Sequence, residues 1–291
     1  SQISYKLSGA SSKPGLYECG KCKRQFTVTT KTPMHSTKLP LWKWLQAMYY
    51  IVNSSKGVSS VFLAKWIGTS QKTAWKMGHA IRFMMAPDSD HQAIFNCIVE
   101  LDEKYIGGKP RYLPGVRHKR GKGTEKQWVV ITAQRGGPVR AEPIESDKLS
   151  ELSPFVKSLV NHEAHLMLDK SRSHQALVKT YAAHDFVNHG NKEFVRGNAH
   201  VNTTESFGAL LERAKQGVFH YLSEPHLPRY LNEISFRWNH RIPDREIIKR
   251  GKKKLIYKQM PVMDMLSSLL SNALGRQLRR TINGGIACPS T

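Results

Sequence analysis

Apolar residues recur at helical spacing through the first third of the chain and then alternate with polar ones. "LWKWLQAMYYIVN" predicts a helix over about 41–54, with Trp42, Leu45, Met48 and Tyr49 on one stripe. "VSSVFLAKWIGTSQKTAWKMGHAIRFMM" predicts a short helix, a turn at Ile67-Gly68-Thr69 and a second helix from about Ser70. That second helix would present Ser70, Gln71, Lys72 and Lys76 outward and bury Ala74, Trp75 and Met77 or their neighbours. Ahead of both, "GLYECGKCKRQFTV" reads as strand, cysteine knuckle, strand. "MAPDSDHQ", 85–92, has the Pro, Asp and Ser of a linker, and a new domain starts after it.

"AIFNCIVELDEKYIGG" predicts a strand on which Glu100 and Asp102 point one way and Glu103 the other. "KQWVVITAQRGG" and "PVRAEPIES" are the next two strands, joined through Arg135-Gly136-Gly137. "KLSELSPFVKSLV" is an amphipathic helix over 148–160, and "HEAHLMLDKSRSH" supplies a short apolar strand ending at Asp169. "HVNTTESFGALLERAKQG" passes from an extended stretch into a helix that buries Phe207, Leu210, Leu211 and Ala214. If it starts near Thr203, Asn202 is its N-cap and Glu205 the partner in a capping box. "LPRYLNEISFRWNHR", 227–241, is a helix anchored by Tyr230, Phe236 and Trp238. "REIIKRGKKKLIYKQM" reads as a basic tract, and "PVMDMLSSLLSNALGRQLRR" as a last helix contacting a second subunit. The fold class is α/β, a mixed sheet flanked by helices and preceded by small modules. The divisions are 1–36 for the knuckle, 37–84 for a helix-turn-helix, 85–92 for the linker, 93–245 for the central domain and 246–291 for the tail.

Charge narrows the function. Lys and Arg number 45 against 22 Asp and Glu, a formal +23, which points to a polyanion and first to double-stranded DNA. No run of 18 apolar residues and no apolar leader is present, which argues against a membrane partner. Four cysteines do not make a disulfide scaffold, so the expected setting is a reducing cytoplasm. The helix-turn-helix suits a major groove. The basic loop 107–127 carries Lys109, Arg111, Arg117, Lys119, Arg120, Lys122 and Lys126 and should lie against phosphate. Cys19 and Cys22 have the spacing of half a tetrahedral zinc site. With His35 as the one further candidate, zinc binding stays open.

Asp102 and Asp169 are strand-borne acids that could share a pair of Mg²⁺ ions, given a third ligand from a helix. Equally, they simply end strands. Glu205 suits Mg²⁺ better than Asn202, because a full charge binds more strongly than an amide oxygen. Glu212 lies two turns on, roughly 10 Å along a helix, and does not share a metal with the first turn. His162, His165, His174, His184 and His189 lack zinc spacing and read as structural or surface groups.

"VELDEKYIGGK", "LMLDKSRSH" and "HVNTTESFGALLERAKQGVFHYLSEPHLPRYLNEISFRWNHR" together resemble the IS1595 (ISXO2-like) family of bacterial insertion-sequence transposases. "GLYECGKCKRQFTVTTKTPMHSTKLPLWKW" is similar to that family's zinc ribbon and the start of its helix-turn-helix, so the likeness runs from about residue 5 to 245. The resemblance implies an RNase H-like, DDE-type core and Mg²⁺- or Mn²⁺-dependent cleavage and strand transfer with two ions. It also implies action as a homodimer or higher oligomer on terminal inverted repeats and target DNA, in a bacterial cytoplasm at the nucleoid. Its catalytic acids fall on Asp102 and Asp169, with the third in "HVNTTE". Part of the family uses Asn there, which makes Asn202 a competitor of Glu205. Two departures stand out: the family's ribbon has two knuckles where this sequence has one, and members often carry Lys where Glu212 stands. The rival readings are a metal-dependent nuclease that does not join, and a non-catalytic DNA-binding protein derived from a transposase.

Overall fold

The computed structural model describes residues 3–10, 12–87, 95–108, 114–115, 117, 126–249, 251–280 and 286–287. Its first strands, β1 (Ser4–Lys6), β2 (Tyr17–Cys19) and β3 (Gln25–Phe26), pair antiparallel in that order. Three helices follow: α1 (Leu41–Asn53), α2 (Ser60–Ile67) and α3 (Gln71–Met84). Gly68 ends α2 in the left-handed region at φ 61, and Ser70 opens α3 by accepting a hydrogen bond from Thr73 N. Three residues therefore reverse the chain between two helices.

The face that α1 buries differs from the expected stripe. Trp44, Ala47, Met48, Ile51 and Val52 are buried, while Trp42, Leu45 and Tyr49 are 54%, 49% and 44% exposed. Its sequence is apolar nearly all round, so two stripes were available and packing against neighbouring helices chose between them.

The central sheet has five strands in the order β6-β5-β4-β7-β8. They are β4 (Ile98–Ile106), β5 (Gln127–Gln134), β6 (Val139–Ile144), β7 (His165–Asp169) and β8 (Ala183–Val187). β4, β5 and β6 form an antiparallel meander, whereas β7 and β8 run parallel to β4. The parallel crossover from β6 to β7 passes through α4 (Leu149–Leu159). Side-chain alternation then divides the sheet into two faces. On one, Val99, Leu101, Val130, Leu166 and Leu168 meet Leu152 and Val156 of α4 and Leu177 of α5 (Arg172–Leu177). On the other, Ile106, Val129, Ile131 and Ala133 meet Phe207 and Leu211 of α6 (Asn202–Ala214) and Leu231 and Ile234 of α7 (Leu227–Asn239). A mixed sheet covered this way is the RNase H-like architecture expected; α5 and β8 are elements that the sequence reading did not separate.

The tract after α7 is a hairpin rather than a loose basic tail. β9 (Arg241–Lys249) pairs antiparallel with β10 (Lys252–Gln259) and runs across residue 245. α8 (Val262–Ser271) packs on α1, with Met265 and Leu269 buried in the core of the helical module. One apolar side of α8 is thus covered within the chain, while Met263 and Leu270 stay exposed. A last pair, β11 (Arg279–Arg280) and β12 (Ile286–Ala287), closes the described chain. Among the described residues no helix is long and apolar enough to cross a membrane.

α3 and α7 join the helical module to the sheet domain. At their contact the His79 ring is fully buried among Trp75, His226 and Tyr230, and neither of its nitrogens has a hydrogen-bond partner. Burial, then the nearby charges of Arg82, His226 and Arg229, hold its pKa down to about 2, against an ordinary 6.5. Below pH 6.5 the unfolded chain takes up a proton that the folded chain refuses, so stability falls as pH falls. The slope is about 1.4 kcal/mol per pH unit, or about 2 kcal/mol between pH 6.5 and 5. Urea unfolding at several pH values should show this slope in the wild type and a flatter one in His79→Phe.

Candidate active site

Asp102 and Asp169 come together because of strand register. β4 and β7 pair in parallel with Leu101 opposite Leu168, so the next residue on each strand, Asp102 and Asp169, falls side by side. Both belong to the sheet face that packs under α6, together with Glu100 and Met167. Burial, then the charge of Glu103, push the Asp102 carboxyl up to about 6; Glu205 raises it further, while the Glu103 N–H and His174 oppose the rise. A crowded, desolvated group of acids is therefore present at the middle of β4, beside the end of β7.

The opposite face braces this pair. Glu103 Oε1 lies 2.6 Å from His174 Nε2, and His174 Nδ1 lies 2.7 Å from the Asp169 carbonyl oxygen. Both ring nitrogens face acceptors, so both donate and the imidazole is a cation. Burial alone would lower its pKa, but the hydrogen bond and charge of Glu103 and the Asp169 carbonyl raise it. His174 thereby ties the end of β7 to β4.

The start of α6 is held by a residue a hundred positions earlier. Glu100 is fully buried; its Oε2 accepts from Thr203 N at 2.6 Å and Thr204 N at 3.3 Å, and its Oε1 from Thr203 Oγ1 at 2.9 Å. Arg135 Nε completes the set at 2.9 Å and braces the approach to the helix through the Asn198 and His200 carbonyls. The capping box is thereby corrected. The N-cap position is Val201, Asn202 is the first helical residue, and the open N–H groups are satisfied by Glu100 from β4. Glu100→Gln should lower stability by about 1–3 kcal/mol, because it leaves Arg135 without its counter-charge and weakens two helix-end bonds. Denaturant midpoints measure the loss.

Asn202 and Glu205, three residues apart, are neighbours on the exposed face of α6 but meet different surroundings. Asn202 is exposed and lines a groove with Ser206, Leu210 and Arg213, whereas the charge of Glu205 acts on Asp102 and His200. Glu212 pairs with Lys215 at 3.6 Å. Lys104, the next residue after Asp102 on the same strand face, was not singled out in the sequence. Its Nζ would stand 3.2 Å from a Cβ built on Gly208, so the missing side chain lets a cation lie across α6 one turn beyond Glu205.

The comparisons with known proteins bear on this domain. Residues 96–239, from the start of the sheet to the end of α7, match the family described as ISXO2-like transposase domain. The central domain belongs to the ISXO2-like transposase family. A protein of Halobacterium salinarum, "Uncharacterized protein in transposable element ISH50", is 28% identical over 249 residues, covering 80% of this chain and 82% of that protein. Among solved structures, a pre-cleavage Mos1 transpososome aligns at 10% identity and a TM-score of 0.28 over 82% of this chain and 81% of that one. A Mos1 mariner paired end complex with Mn aligns at 12% and 0.24 over 71% and 79%.

Around the transposase domain, the residues expected to touch DNA or zinc are distributed as follows. Ser70 is occupied as the N-cap of α3, and Gln71 Nε2 donates to Ser60 Oγ at 2.8 Å. Lys72 is exposed and Lys76 half-buried. Arg117 is exposed, and Lys126 packs beside Gly107, whose Cβ would stand 2.9 Å from Lys126 Cγ. Lys109, Arg111, Lys119, Arg120 and Lys122 lie outside the described residues. In the knuckle Cys22 N approaches Cys19 Sγ at 3.5 Å, and His35 is exposed. Among the described residues no group of three or more His, Cys, Asp and Glu side chains is arranged to hold a metal ion. That holds both for the knuckle and for the acids of the sheet. Asp102 and Asp169 still fit a hard cation in donor chemistry: they are adjacent carboxylates whose crowding a positive charge would relieve.

Proposed function

We propose that this chain is a DNA transposase that cleaves DNA at the ends of its own element and joins them to a target, with Asp102, Asp169 and Glu205 as the catalytic acids. The observation that carries the reading is the register of β4 and β7. It sets Asp102 beside Asp169 on the face where the first turn of α6 delivers Glu205's charge, within a domain of the transposase family. Asp102, Asp169 and Glu205 would hold Mg²⁺ or Mn²⁺, two ions in all, which when bound activate water or a 3′-hydroxyl and offset charge on the leaving oxygen. The chain's own part is positional. His174 and Glu103 hold the end of β7 against β4, and Glu100 with Arg135 pins the helix that carries the third acid. The +23 charge supports duplex DNA as partner. α2 and α3 would read the terminal inverted repeats, with Lys72 and Lys76 at the reading helix, and two or more copies would pair the ends.

The deciding experiment incubates the full chain with duplexes bearing the element's ends, with Mg²⁺, with Mn²⁺ and with chelator. Cation-dependent nicking at the ends, followed by joining of the 3′-hydroxyl to a target, is the expected result. Nicking without joining would make it a nuclease, and binding without nicking a DNA-binding derivative.

A further inference from the structure

Beside α6 lies a groove of about 790 Å³, bounded by α6, the β5–β6 turn, the end of α7 and the root of the β9–β10 hairpin. Asn202, Ser206 and Arg213 line it from α6, Trp238 from α7, and Arg241 and Tyr257 from the hairpin. No Asp or Glu is among its lining residues. Arg241 is held in place: its guanidinium lies 3.5 Å from the Trp238 ring centroid and 5.4 Å from that of Tyr257, and its Nε donates to the Trp238 carbonyl at 2.9 Å. Neither Arg213 nor Arg241 is paired with a carboxylate among the described residues, and Arg213 is exposed. Two uncompensated cations thus flank aromatic rings, one cation already oriented by stacking.

We propose that this groove binds an unpaired stretch of one or two nucleotides of the DNA strand processed at Asp102 and Asp169. Phosphate would sit on Arg213 and Arg241, with a base against Tyr257. The inference rests on the transposase reading for the identity of that strand. Three arguments favour single-stranded DNA. The volume falls within the range of roughly 300–1,000 Å³ that takes a small ligand, which is too little for a duplex. Alternating cation and ring is the pattern that tracks a backbone while stacking its bases, and in a duplex those base faces are already stacked on one another. Finally, the groove is lined by Asn202 and Thr203, in the same first helical turn as Glu205, and Thr203 also bonds Glu100 beside Asp102, so the groove adjoins the acids.

The test compares wild type, Arg213→Gln and Arg213→Gln/Arg241→Gln of the full chain, titrated against fluorescent oligothymidine and against blunt duplex over a salt series. For oligothymidine the double variant should bind about tenfold more weakly. Its plot of log affinity against log salt should be shallower by about 1.4, which is two phosphate contacts at 0.7 each. Duplex affinity should move less than about threefold. Arg213→Gln alone, at an exposed side chain with no carboxylate partner, should show half the change in slope, so that a folding defect from disturbing the Arg241 stack cannot imitate the result. Photocrosslinking of an iodouracil-bearing strand should map to Tyr257. Unchanged oligothymidine slopes, an equal loss for duplex, or displacement of oligothymidine by polyglutamate of equal charge would each overturn the groove. End cleavage by the wild type is followed in parallel. Cleavage with unchanged slopes sinks the groove alone, and changed slopes with no cleavage sink the transposase reading alone.

Discussion

Glu205→Gln is expected to reduce end cleavage by about a thousandfold, while Asn202→Ala costs less than about tenfold. The first figure corresponds to about 4 kcal/mol of transition-state stabilisation, the order associated with losing a charged metal ligand. Both residues sit in the first turn of α6, and their spacing along the chain does not separate them. Their surroundings do: Asn202 lines the groove, and Glu205 is the one whose charge raises Asp102. A readout independent of turnover follows from the same contact. In metal-free protein, Glu205→Gln removes one of the charges that raise Asp102, so the Asp102 carboxyl, followed by NMR, should titrate at lower pH than in wild type. If Asn202→Ala is the variant that abolishes cleavage, or if Asp102 titrates unchanged in Glu205→Gln, Glu205 leaves the site.

Glu233→Ala is expected to destabilise the protein by about 3–5 kcal/mol, the largest stability effect of any single change considered. Glu233 lies on α7 with no exposed surface, and it receives both the Arg82 guanidinium from α3 and that of Arg237 one turn along its own helix. Arg82 also lies over the rings of Phe219 and Tyr230. Burial opposes the charge on Glu233, but the two arginines win and hold its carboxyl below the usual range. Removing that carboxylate leaves two buried cations facing each other without a counter-charge. Because the triad spans the seam between the helical module and the sheet domain, urea unfolding of Glu233→Ala should separate into two transitions. Replacing all three by apolar residues, Arg82→Met/Glu233→Leu/Arg237→Met, should recover most of the loss, since the cost lies in unpaired charge rather than in missing volume. A Glu233→Ala midpoint equal to wild type would show that the seam is held by its apolar contacts alone.

Much of the domain was legible from residue pattern. Alternation marked β4, β5 and β6, and the apolar run before Asp169 marked β7. The opposite orientation of Glu103 relative to Glu100 and Asp102 followed from the two-residue period of a strand, and it is seen in their partners, His174 on one face and α6 on the other. Where the reading missed, local rules had offered a sufficient local answer. Asn202 and Glu205 satisfied the spacing of a capping box, so nothing called for Glu100, a hundred residues away. Likewise α1, apolar on almost every side, presented two stripes of equal appeal. The cations that interrupt β9 and β10 hid their alternation inside what read as a basic tract.

What the sequence determined by itself was therefore the material of the site: two strand-borne aspartates, an acid-bearing helix start and a charge suited to DNA. Only the tertiary structure decided their arrangement. Register between parallel strands, the partner of a buried carboxylate and the side of a helix that meets the sheet all depend on contacts between segments far apart in the chain, and no local period carries that information.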